Sequence, residues 1–107
     1  MSGAFGDMGN LLKQAQKMQR DLERAREELK SARLEGSAGG GAVRVESDGD
    51  GQILAVRIQP EALGAKDPGL IEDLVLAAAR DAQAKAAALR EERIGRVSGG
   101  LNLPGLL

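Results

Sequence analysis

The chain has 107 residues, enough for one domain, with 15 basic and 16 acidic side chains and a formal net charge of −1. It contains no Cys and no His, which removes disulfides, thiol catalysis, thiolate metal sites and the usual general base near neutral pH. Phe5 is the only aromatic residue, so the core must be small and aliphatic, and self-association is the expected remedy for so poor a core.

In chain order, residues 1–7 are Gly-rich and expected to be mobile, with Asp7 or Asn10 capping the helix that follows. From Met8 to Arg33 the apolar residues Met8, Leu11, Ala15, Met18, Leu22, Ala25, Leu29 and Ala32 occupy alternating a and d positions of four heptads. The residues between them are mostly Lys, Arg, Gln and Glu, with no Pro and no β-branched side chain, so the spacing predicts one continuous helix over 8–33. Its length would be about 39 Å at 1.5 Å per residue, too long for a chain of this size to enclose. This helix needs a partner, from its own chain or from a second copy.

A small antiparallel meander of two to three strands is expected over 34–59. Leu34 to Ser37 reads as a short strand and Gly39-Gly40-Gly41 as a turn; Ala42 to Ser47 alternates, with Val43 and Val45 on one face. Asp48-Gly49-Asp50-Gly51 is a hairpin turn, and Gln52 to Gln59 returns with Leu54, Val56 and Ile58 on one face until Pro60 ends it. Asp67-Pro68 then forms a helix start, and the second long helix is expected over 69–93, with Ile71, Leu74, Val75, Ala78, Ala82, Ala86 and Leu89 on one face. Gly95 is expected to break it. The tail, 95–107, is rich in Leu and Gly and reads as a docking or short linear contact segment. The fold class is therefore α+β, two long helices flanking a small sheet in a homodimer. Leu11, Ala15, Met18 and Leu22 of the helix and Val43, Val45, Leu54 and Val56 of the strands are the expected dimer interface.

Few patterns point to chemistry. Gly36 to Gly41 lies after a helix and before a strand, the reverse of a phosphate-binding loop, and it lacks the Lys-Ser/Thr pair. Asp48-Gly-Asp-Gly51 opens like a calcium loop, but Ile53 and Gln59 stand where Gly and Glu are required. The adjacent acids Glu27/Glu28, Glu72/Asp73 and Glu91/Glu92 point about 100° apart on their helices and form no dyad. No nucleophile–base arrangement can be assembled, so no enzyme, cofactor, metal or small-molecule substrate is expected. No apolar run reaches the ~20 residues of a membrane span, and a cytoplasmic protein is expected.

Charge distribution is the remaining signal. Residues 8–33 carry seven bases and four acids, and Met8 to Arg20 contains no acid at all. Lys13, Lys17, Arg20 and Arg24 fall on one stripe opposite the apolar seam. Such a stripe is either a solvated coiled-coil face or a surface for nucleic-acid phosphates, and no base-reading motif accompanies it. Arg90, Arg93 and Arg96 add bases near the end of the second helix. The rival reading is a protein-interaction module acting through the Leu-rich tail or through the Ala face of the second helix.

Four segments carry a resemblance. Met8-Gly-Asn-Leu-Leu-Lys-Gln-Ala-Gln-Lys-Met-Gln19, Glu35-Gly-Ser-Ala-Gly-Gly-Gly-Ala-Val43, Ile71-Glu-Asp-Leu-Val-Leu-Ala-Ala78 and Gly99-Gly-Leu-Asn-Leu-Pro-Gly-Leu-Leu107 together resemble the YbaB/EbfC family in order and spacing. The resemblance implies a bacterial nucleoid-associated homodimer of tweezer-like shape, with a meander sheet between two long helices. It further implies binding to double-stranded DNA with limited sequence preference and an effect on nucleoid organisation and gene expression. It supplies no contact residues, so the expected DNA-binding set is the one assigned from charge: Lys13, Lys17, Arg20, Arg24, Arg90, Arg93 and Arg96.

Overall fold

The computed structural model describes residues 2–99. The first helix, α1, spans Ser2–Ser31, and three strands follow: β1 (Leu34–Ala38), β2 (Val43–Ser47) and β3 (Ile53–Ile58). A single helical turn, α2 (Pro60–Leu63), leads into the second long helix, α3 (Pro68–Ser98). The strands form one antiparallel sheet in the order β1-β2-β3. The architecture is thus α+β, drawn out to 78 × 24 × 16 Å.

Both long helices are longer than expected, although α1 stops at Ser31, short of Arg33. α1 begins at Ser2, ahead of Met8, because a helix once nucleated gains one hydrogen bond per residue and tolerates glycines at about 1 kcal/mol each. The same argument carries α3 through Gly95 to Ser98, where the Ser98 hydroxyl donates back to the Ile94 carbonyl at 3.2 Å. At the start of α3, Asp67 accepts from the Leu70 amide at 3.2 Å and Pro68 occupies the first turn. α1 ends with the Arg33 guanidinium donating to the Lys30 and Ala32 carbonyls, which satisfies oxygens the helix leaves free.

The core is small because it is made of small residues. Val43 and Val45 of β2 and Ala78 and Ala82 of α3 are fully buried, with Ala38, Leu74, Val75 and Ala79 packed around them. Gly36 on β1 permits this close approach: a Cβ there would lie 2.2 Å from the Ala78 carbonyl and 2.3 Å from the Ala82 nitrogen. A second contact brings α1 against α3 through Ala25, Leu29 and Ala86, all nearly inaccessible to solvent. The helices run antiparallel, with Glu28 of α1 paired to Arg93 of α3.

The hairpin turn locks the two contacts together. Asp48, itself buried, accepts from the Asp50 and Gln52 amides, both at 2.9 Å, while the Gly49 amide donates to the Leu29 carbonyl at 2.7 Å. Beyond the turn the register shifts between Glu46 and Ser47, so that Ser47 faces Ile53, Glu46 faces Ala55 and Leu54 is the inserted residue.

α3 covers β1 and β2 and leaves β3 uncovered. Leu54, Val56 and Ile58 remain 45%, 47% and 37% exposed, although Val56 and Ile58 sit opposite the buried Val45 and Val43. Val43 and Val45, expected at a dimer interface, are enclosed within the protomer because α3 lies directly over β2.

Candidate nucleic-acid interface

The basic stripe of α1 begins on the part of the helix that is exposed all round and runs on to where α1 meets α3. Residues 7–17 are all exposed, and burial begins only at Met18, beside the end of α3. Lys13, Lys17, Arg20 and Arg24 lie along one face at helical spacing, with the apolar seam on the other side.

The four bases are not equivalent. Lys17 donates to Asp21 at 2.8 Å, and Arg24 approaches the same carboxylate at 3.9 Å. The Lys17 hydrogen bond, aided by the surrounding bases, holds the Asp21 carboxyl below its ordinary value. Among the described residues Lys13 and Arg20 make no ion pair, so their charges are fully available. Exposed pairs of this kind contribute little to stability, and an incoming phosphate can displace Asp21 from Lys17.

The bases of α3 divide differently. Arg93 is paired with Glu28 across the two helices, and Arg96 with Glu92 one turn away on its own helix. Arg90 is exposed and makes no ion pair among the described residues; it lines a groove of about 1060 Å³ between α1 and α3. Across that groove stands Arg26 of α1, also without an ion pair, next to Lys30. Charge reading along each helix separately passes over Arg26, since it flanks the apolar seam and not the basic stripe. Only the antiparallel packing of α1 on α3 brings Arg26 and Arg90 to one groove.

The expected interface residues also separate. Leu11 is 62% exposed and Ala15 is exposed, while Met18 and Leu22 are half-buried toward the end of α3. Leu54 and Val56 are exposed on β3. The tail over 100–107 lies outside the described residues. Among the described residues no group of three or more acidic side chains is placed to hold a metal ion, and no helix is long and apolar enough to cross a membrane. The arrangement offers a long cationic face on α1.

Comparison with known proteins agrees with this chemistry. The profile described as the YbaB/EbfC DNA-binding family matches residues 5–101. A nucleoid-associated protein of Acetivibrio thermocellus is 47% identical over 105 residues, which is 97% of this chain and 93% of that one. Nucleoid-associated proteins of Pelotomaculum thermopropionicum and Bacillus thuringiensis are 43% and 45% identical over 94% and 98% of this chain, and 96% of each of theirs. The crystal structure of an uncharacterised protein from Helicobacter pylori has the same fold, with a TM-score of 0.65 and 23% identity over 92% of this chain and 97% of that one.

Proposed function

The chain belongs to the YbaB/EbfC DNA-binding family, and from this premise we propose that it is a nucleoid-associated homodimer that holds double-stranded DNA mainly through phosphate contacts. The observation that carries the reading is the exposed stripe on α1: Lys13, Lys17, Arg20 and Arg24 lie together on one exposed face of the helix, Lys13 and Lys17 on the stretch that buries nothing in its own protomer. A net charge of −1 does not oppose it, because Met8 to Arg20 has no acid and most acids of the chain lie beyond the stripe. Phosphate contacts position a protein on a duplex without reading bases, which suits a chain lacking any base-reading motif. Arg90 faces a separate groove with Arg26 and Lys30, on the seam side of α1, and adds a second group of bases there. Arg93 and Arg96, each held by a carboxylate, contribute less.

Dimerisation is supported by β3. One edge of this strand is unpaired, and its row Leu54, Val56 and Ile58 continues the buried face of the sheet into solvent. A second copy covering that row places two α1 segments on one particle and doubles the local positive charge. Through coating of the chromosome the protein then acts on nucleoid organisation and gene expression, in the cytoplasm.

The test is affinity for a duplex of arbitrary sequence across a salt series. Each phosphate neutralised adds about 0.9 to the slope of log affinity against log salt. The variant Lys13→Ala/Lys17→Ala/Arg20→Ala is expected to flatten that slope by roughly 2–3 per protomer bound. A wild type that binds no duplex at low salt overturns the proposal and favours the protein-interaction reading. A triple variant with an unchanged slope moves the contact surface away from α1.

A further inference from the structure

One carboxylate acts on most of the basic stripe. Of the four acids between Met8 and Arg33, only Asp21 pairs with bases of the stripe. Glu27 pairs with Lys30, Glu28 with Arg93, and Glu23 with none among the described residues. Asp21 has a base on each oxygen: Oδ2 accepts from Lys17 at 2.8 Å, and Oδ1 lies 3.9 Å from Arg24. Arg20, one residue back, adds its charge to the same carboxylate. Lys13, about two turns farther out along the first half of α1 (the arm), is clear of it.

The pair is layered. The Lys17 and Arg24 side chains are each 72% exposed and that of Asp21 is 29% exposed, so the carboxylate lies beneath the bases, close to the helix. A phosphate arriving from solvent meets these two bases first and finds both turned toward an anion. We propose that Asp21 is an internal competitor for phosphate, which holds Lys17 and Arg24 in the free protein, gives them up when a phosphate binds, and so limits how tightly the stripe holds its ligand. The inference rests on the reading of the stripe as a phosphate surface.

Displacement leaves Asp21 ionised and unpaired beside the bound phosphate, where it takes up a cation from solution. One cation taken up offsets one released from the phosphates, so the salt dependence of the natural protein is shallower than its bases alone would give. Lys13 and Arg20 make the first hold, having no carboxylate to leave. Lys17 and Arg24 are recruited where phosphate is dense enough to displace Asp21. An exposed ion pair is weak in itself, so the restraint on affinity is several-fold and not absolute.

The test compares full-length wild type, Asp21→Asn and Glu23→Gln for affinity to an arbitrary-sequence duplex across a salt series. Both variants remove one negative charge from the same stretch of α1, and only Asp21 holds bases of the stripe. Asp21→Asn is expected to bind about threefold or more tighter than wild type, and to gain at least about twice as much as Glu23→Gln. Its salt slope is expected to steepen by up to about 0.9 per protomer, with that of Glu23→Gln unchanged. Equal gains in the two variants overturn the proposal, since net charge then explains both. An Asp21→Asn protein that binds no better than wild type also overturns it, and weaker binding would make Asp21 a positioning residue for the two bases. If wild type binds no duplex, the DNA reading falls. Inorganic tripolyphosphate, titrated into wild type and Asp21→Asn, then decides the role of Asp21 alone: a gain of about threefold in the variant supports it and parity overturns it.

Discussion

The two halves of α1 make the most informative comparison in the molecule. Both carry the same heptad seam, yet Ala25 and Leu29 are buried against α3 while Leu11 and Met8 stand more than half exposed. The second half mixes acids with bases and pairs Glu28 with Arg93; the first half, from Met8 to Arg20, has no acid. An apolar stripe thus states that a helix face wants cover, without stating where the cover comes from. For one half it is α3 of the same chain, and among the described residues the other half has no cover.

The largest expected effects test that division directly. Leu29→Ala empties a site of 2% exposure under the Gly49 turn and is expected to lower unfolding stability by about 2–5 kcal/mol. Leu11→Ala, in the same heptad seam, is expected to change the dilute protein by no more than about 0.5 kcal/mol. Denaturant titration of both variants at one protein concentration checks this, and equal losses would mean that the arm packs on its own protomer.

Glycines give a second, somewhat smaller contrast. Gly36→Ala would push a Cβ into the α3 backbone and is expected to destabilise by about 2–3 kcal/mol. Gly9→Ala meets nothing within 4 Å on the arm and is expected to stabilise α1 by up to about 1 kcal/mol. Circular dichroism during thermal unfolding separates the two signs.

The charges follow. Lys13→Ala/Arg20→Ala removes two unpaired bases of the arm and is expected to reduce the salt slope of duplex binding by about 1.8 per protomer. Arg93→Ala/Arg96→Ala removes two bases held by carboxylates and is expected to change duplex affinity less than about twofold, since each is already neutralised. The second variant is instead expected to loosen α1 from α3 slightly, through loss of the Glu28 pair.

The smallest effect is a pH dependence in the body. Asp81 is held below its ordinary value of 3.8, first by the Ser37 amide of β1 and then by Lys85. A depressed carboxyl contributes stability that is present above about pH 4 and is lost as pH falls through the folded value. Asp81→Asn is therefore expected to narrow the stability difference between about pH 5 and about pH 3, a small change because the site is open to solvent. Denaturation midpoints at the two pH values give the comparison.

Much of this was readable in the chain. The heptad seam, the Asp-Gly turn and the Asp67-Pro68 start are local signals, since each depends on residues within a few positions of one another. The stripe of Lys13, Lys17, Arg20 and Arg24 was readable for the same reason, being a matter of helical spacing. Alternation marked Val43 and Val45 as half of an apolar sheet face, as it did Leu54 and Val56. It could not say that α3 would cover the first pair and stop short of the second. Likewise Arg93 and Arg90 look alike in sequence, and only their neighbours distinguish a base held by Glu28 from one facing a groove with Arg26.

What the sequence determined by itself was therefore the periodic and the local: which residues share a helix side or a strand side, where turns fall, and which chemistries are absent because their side chains are missing. What the tertiary structure decided was allocation. The helices are longer than the sheet they flank, so their seams cannot all be satisfied within one protomer, and the antiparallel placement of α3 on α1 chose the half that is satisfied. Burial depends on contacts between residues far apart in the chain, such as Leu29 with Gly49 and Gly36 with Ala78, and no spacing along the sequence encodes that distance.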